Sequence, residues 1–272
     1  MAPSRLRLAG LALPAALVFL GFFVVPLGIF LHVGGQGAHG WAGYALALGD
    51  ARHLQSLLAT FILSVLVTLA TLVVGGICGL FLGRHEFPGQ GLLVSILTLP
   101  LAFPGVVVGF MIIMLGGRQG LVTQLSLALH GGRIVFAYSV WGLFLGYLYF
   151  SIPRVVLTML AAARGLDAAL EEAARSLGAK PFEIFRDITL PALRPALVSA
   201  AALTFATSMG AFGTAFTLAT RVTVLPMMIY TDFTLTTDLS SVAALSLLLG
   251  LVSWAALFLA RSLTGAGVAA SG

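Results

Sequence analysis

Glu171–Leu197 reads EEAARSLGAKPFEIFRDITLPALRPAL, and it stands apart from everything around it. These 27 positions hold 8 of the 23 Asp, Glu, Lys and Arg residues and the only lysine, Lys180. The chain of 272 residues is 60% hydrophobic and 8% charged. A soluble domain carries about 25% charged residues, so most of this surface is built to face lipid. A polar island within such a chain marks a place where something other than lipid makes contact.

Working outward, six stretches reach the roughly 20 apolar residues that cross a hydrocarbon core: Leu11–Leu31, the segment from His53 to Arg84, one within Phe87–Gly117, one from Ile134 past Ile152 towards Ala163, Pro195–Thr220 and Leu239–Ala260. No period-2 alternation of a barrel strand is present, and backbone groups in lipid must be satisfied internally, so an all-α polytopic protein is expected. The basic and apolar N-terminus resembles a signal peptide, but its apolar part is too long and a retained first span is expected.

Lys and Arg distribution sets the orientation. With the N-terminus inside, the inner segments hold Arg5, Arg7, Arg84, Arg154, Arg164, Arg175, Lys180, Arg186, Arg194 and Arg261, and the outer ones Arg52, Arg118, Arg133 and Arg221. Both termini and the island are then cytosolic. The net charge of +5 reads as topology, and no nucleic-acid partner is expected. Cys78 stands alone, which excludes an internal disulfide, and a small buried packing role is expected for it.

Local signals divide the island. Asp167 is an N-cap, with Glu171 and Glu172 near the positive end of the helix dipole. Leu166, Leu170, Ala173, Ala174 and Leu177 share a face, and Glu171 and Arg175 form an i,i+4 pair. Gly178 suits a left-handed cap and Pro181 the first turn of a second helix, Phe182–Ile188. Leu190-Pro191 should stop that helix, and Pro195 should open the fifth span. Short helices are also expected at Leu121–Leu129 and from Pro226, both at the outer interface.

The pattern Glu-Ala-Ala, three residues, Gly, nine residues, Ile, one residue, Leu-Pro is filled by Glu172, Ala173, Ala174, Gly178, Ile188, Leu190 and Pro191. It resembles the cytosolic signature of the permease subunits of type I ABC importers, in the right topological place. The resemblance implies a core over residues 53–261 preceded by residues 1–52, followed by a tail at 262–272, with coupling helices at 166–191. It implies that Glu171, Glu172, Ala173, Ala174, Gly178, Ile188, Leu190 and Pro191 dock on an ABC ATPase dimer. It further implies a second homologous permease, an extracytoplasmic solute-binding protein and a bacterial inner-membrane location. Nothing resembles a Walker A loop, so the chain is expected not to be an enzyme and to hold no cofactor, with ATP and Mg on the partner.

For the path, span five offers Thr204, Thr207, Ser208, Thr214 and Thr217, with Thr207, Gly210 and Thr214 on one face. Hydroxyls in membrane helices commonly bond back to their own backbone. Pro100 and Pro104 break span three, where Gly105 and Gly109 are expected to form a packing face. No ionisable residue is expected in the centre of a span. Asp232 and Asp238 precede span six, as an acidic entrance or as the end of a surface helix. The stretches LPLAFPGVVVGFMIIMLGG, FATSMGAFGTAFTLAT and TVLPMMIYTDFTL resemble permeases of the polyamine, phosphonate and iron branch, which implies spermidine or putrescine; molybdate or sulfate, iron(III) and aminoethylphosphonate are the alternatives. The sequence lacks the paired aspartates or metal-ligand spacing that an intramembrane enzyme needs, and the buried charges and internal repeat expected of a secondary transporter or channel subunit.

Overall fold

Helices account for every regular element among the described residues of the computed structural model, which are 13–36, 40–219, 223–236 and 238–264. Arg5, Arg7, His39, Thr220, Arg221, the first residues of span one and the tail beyond 264 lie outside them. Six helices are long and apolar enough to cross a membrane: Leu13–Gly34 (α1), Ala51–Arg84, Gly105–Leu129, Val140–Arg164, Pro181–Met209 and Leu239–Leu263. Between these and within them lie Ala42–Gly49 (α2), Ala51–Arg84 (α3), Gln90–Thr98 (α4), Gly105–Gly116 (α5), Leu121–His130 (α6), Val140–Arg164 (α7), Ala168–Ser176 (α8), Pro181–Ile184 (α9), Leu190–Met209 (α10), Phe212–Leu218 (α11), Leu225–Thr231 (α12) and Leu239–Thr264 (α13). Both short helices expected from the sequence, α6 and α12, are present.

The chain divides into two units, residues 1–54 with 228–248 and residues 55–227 with 249–272. In the first, the Tyr44 hydroxyl donates to the Leu31 carbonyl at 2.6 Å and the Ser240 hydroxyl to the Gly34 carbonyl at 2.6 Å. These bonds tie α2 and α13 to the end of α1, whose own apolar surface is uncovered. The Ser240 hydroxyl serves well because Gly34 ends its helix, where the last carbonyls have no intrahelical partner.

In the second unit, small residues set the spacing of α3 and α7. Gly75, Gly79 and Gly83 repeat every fourth residue, one above the other on a single face. A Cβ on Gly75 would lie 2.9 Å from Val155 Cβ, and one on Gly79 would lie 2.6 Å from both Met159 Cβ and the Val156 carbonyl. With no hydrophobic drive between helices in lipid, this close approach is what dispersion has to work with. Val155 and Met159 then pack with Leu193 and Ala200 of α10. Cys78 is exposed, contrary to expectation. It faces away from the glycine stripe, and lipid tolerates an exposed thiol as readily as a core does.

The expected third span, within Phe87–Gly117, is broken. After α4 come a tight turn over Leu99–Ala102 and an extended Phe103 before Pro104 and α5. The fifth span breaks too, at Gly210–Ala211, between α10 and α11. The buried Tyr147 of α7 donates to the Ala211 carbonyl at 2.8 Å, which ties α7 to the break. The two broken segments pack on each other through Gly105 and Gly109 as expected. A Cβ on Gly105 would meet the Thr214 hydroxyl oxygen at 3.1 Å, and one on Gly109 would collide with Thr217.

Two proline expectations are corrected. Leu190-Pro191 does not end the second helix of the island, and Pro195 does not open a span: it lies inside α10. From Pro181 the chain stays helical to Met209, passing through one wide turn at Phe185–Thr189 where the Leu190 amide bonds to the Phe185 carbonyl. In an unbroken α-helix the Pro191 ring would clash with the carbonyl four residues back, and the wider turn moves that carbonyl aside.

Candidate functional site

Local chemistry builds the charged arm between α7 and α10. Asp167 caps α8, its carboxylate accepting from the Ala169 amide at 2.9 Å. At the other end Gly178 takes φ +87, and the Gly178 and Ala179 amides bond back to the Arg175 and Ala174 carbonyls at 3.0 and 3.1 Å. This paired closure satisfies carbonyls the helix leaves free, and it needs a left-handed residue that glycine occupies at least cost. The Lys180 amide then donates to Glu183 Oε2 at 2.8 Å, starting α9.

The arm is anchored by a side chain expected to pair elsewhere. Glu171 takes the forked guanidinium of Arg84 at the end of α3, with one arm of the fork at 2.9 Å, and accepts from the buried Thr189 hydroxyl at 2.7 Å. It is not bonded to Arg175, because a carboxylate that is already half-buried gains more from a planar fork than from a solvated neighbour. The Arg84 hydrogen bond holds the Glu171 carboxyl below the usual glutamate range; burial opposes this, and Thr189 assists. Glu172, Ala173 and Gly178 face outward, Ala174 and Ile188 are half-buried, and Leu190 and Pro191 are exposed. At the tip, Leu177 is 89% exposed and Phe182 70% exposed, with Leu170 also uncovered.

The hydroxyls of span five separate. Thr204, Ser208 and Thr214 are buried. Thr207 donates to the Leu203 carbonyl at 2.9 Å, and Thr217 to the Thr214 carbonyl at 3.0 Å, so back-bonding is common here. Thr214 instead bonds across to the Gly105 carbonyl at 3.1 Å. Thr207, Gly210 and Thr214 do share a face, and it borders an open cavity of about 410 Å³ that residues of the α4–α5 break and of α7 also line. Thr204, Ser208 and Thr217 do not line it.

One lining residue corrects the sequence reading. Arg154, expected in an inner segment, lies within α7, which runs on for ten more residues to Arg164. At 1.5 Å per residue it sits about 15 Å from that end. An arginine at the centre of a membrane helix costs about 2.5–3.5 kcal/mol on insertion scales and is functional by default. Its guanidinium carbon lies 5.8 Å from the centre of the Phe150 ring, one turn earlier. Among the described residues no carboxylate pairs with it. The available signal was Arg154 directly after Pro153, inside an apolar stretch that continues with VVLTMLAAA.

Both aspartates that precede span six are hydrogen-bonded within the first unit. Asp232 meets Nε2 of the buried His53 at 3.1 Å, and Nδ1 of that ring lies 2.7 Å from the Ala47 carbonyl. Asp238 caps α13, accepting from the Ser240 and Ser241 amides at 3.1 and 3.3 Å and from the Ser241 hydroxyl at 2.6 Å. Among the described residues no group of three or more His, Cys, Asp or Glu could hold a metal.

A signature arm between two spans and two broken helices packed together describe a known kind of protein. The family model for the binding-protein-dependent transport system inner membrane component matches residues 75–266. The chain belongs to this family. This permease is 37% identical over 168 residues to the molybdenum transport system permease protein ModB of Escherichia coli K12, covering 62% of this chain and 72% of that one. It is 30% identical over 254 residues to a probable molybdenum ABC transporter permease protein of Haloferax volcanii, covering 93% and 90%. It is also 35% identical over 168 residues to the sulfate transport system permease protein CysW of a Synechocystis strain, covering 61% and 59%. The fold matches that of a bacterial ABC transporter involved in import of the acidic polysaccharide alginate, with a TM-score of 0.80, 17% identity and 94% coverage of both chains. The permease is thus a subunit of a binding-protein-dependent ABC importer. None of these relatives is named as a polyamine permease.

Proposed function

We propose that this permease imports a tetrahedral oxyanion, molybdate or sulfate, by alternating access driven by a separate ATPase. The carrying observation for the mechanism is the apolar tip at Leu177 and Phe182, uncovered on an arm that Arg84, Glu171 and Thr189 anchor. An exposed apolar pair on a capped helix-turn-helix suits the groove of another protein. The groove belongs to an ABC ATPase dimer that supplies ATP and Mg; Glu172, Ala173 and Gly178 meet its surface, while Glu171 holds the arm to α3. For the cargo, support comes from the molybdenum and sulfate permeases at 30–37% identity.

The remaining partners are a second homologous permease, which completes the path, and an extracytoplasmic binding protein that delivers the anion. The bilayer is the bacterial inner membrane, with both termini and the arm on the cytosolic side. Proteoliposomes holding the full importer should take up labelled molybdate or sulfate when ATP and the binding protein are supplied. Uptake of spermidine but of neither anion would overturn the cargo, and uptake without ATP would overturn the mechanism.

A further inference from the structure

Arg154 is a cation within a helix long and apolar enough to cross a membrane, where charge is costly. Among the described residues no carboxylate lies in ion-pair reach. It is also the only charged residue bordering the cavity it lines. A cavity of about 410 Å³ has room for several waters at about 30 Å³ each, and hence for a five-atom oxyanion with part of its hydration shell.

We propose that Arg154 and this cavity form an intramembrane binding site for a tetrahedral oxyanion on its way through the permease. The inference rests on the oxyanion reading above. The planar fork of Arg154 can present two parallel N–H groups to two oxygens of one anion. The Phe150 ring, 5.8 Å from the guanidinium carbon, limits how that fork can turn. The Thr207 hydroxyl now bonds to the Leu203 carbonyl, which is part of the helix ladder, so rotation towards the anion costs little. Gly210 keeps the wall low: a Cβ there would meet only the Ala206 carbonyl oxygen, at 3.8 Å, and otherwise open space. The same site repels a polyamine.

The test uses the complete importer in proteoliposomes, with labelled sulfate and molybdate as probes. Arg154→Gln should assemble with its partners and raise the KM for uptake at least tenfold. Arg154→Lys, which keeps charge and loses the fork, should retain at least a third of wild-type uptake. Gly210→Leu, which fills the cavity without touching the charge, should lower uptake at least tenfold. Arg154→Gln within twofold of wild type, or Arg154→Lys no better than Gln, would overturn the site. If Arg154→Gln fails to assemble, Gly210→Leu decides, and uptake within twofold of wild type overturns the proposal. A wild-type importer that moves neither anion removes the oxyanion reading and the site together. Transport by wild type that both variants match removes the site alone.

Discussion

Gly178 carries two constraints at once. Its φ of +87 is costly for a residue with a Cβ, by about 1–2 kcal/mol, and its position next to Leu177 puts any side chain on the uncovered tip. No atom of this chain lies within 4 Å of where that Cβ would be, so the space is empty here. Gly178→Asp should therefore still insert and fold, yet lose transport and release the ATPase on co-purification. Normal uptake by that variant would contradict the docking role. Glu171 carries the opposite kind of constraint, inward. Its folded pKa lies below the ordinary 4.5, so its bond to Arg84 stabilises fully above that value and is lost as pH falls below it. Hydrogen exchange at Ala168–Ser176 should be faster in Glu171→Gln than in wild type at neutral pH. The difference should close as pH drops below 4.5.

At the scale of elements, what could be read from the sequence was whatever a few adjacent residues decide. Asp167, Gly178 and Pro181 act on the backbone within a few residues of themselves, and each bounds the helix it was expected to bound. Leu190-Pro191 failed as a stop signal because the wide turn before it absorbs the proline, and Thr189 within that turn is held by Glu171. That support comes from 18 residues away in sequence and has no local signature. Arg154 was misplaced for a related reason: counting basic residues by loop presumes that a span ends where charge begins, whereas α7 continues to Arg164. The glycine stripe on α3 predicts a packing failure. Gly79→Leu would drive a side chain into Met159 and the Val156 carbonyl, and overpacking of this kind costs about 1–3 kcal/mol or more. The unfolding temperature of the purified permease should fall, with no change in α8. Tyr147→Phe should lower it as well, by removing a hydrogen bond from a buried side chain, worth about 0.5–1.5 kcal/mol.

For the whole molecule, the six long helices and the all-α class were legible because lipid imposes them on composition. The cargo was not. The stretches that suggested polyamines, around Pro100–Pro104 and Gly210–Gly213, build the breaks and their packing, which is a matter of backbone geometry and not of cargo. The most direct measurement places a photo-crosslinking amino acid at position Leu177 in the assembled importer and identifies the adduct by mass spectrometry. The arm as described predicts an adduct with the ATPase subunit, and an assembled, transport-active importer whose position 177 reacts only with lipid or solvent would contradict it.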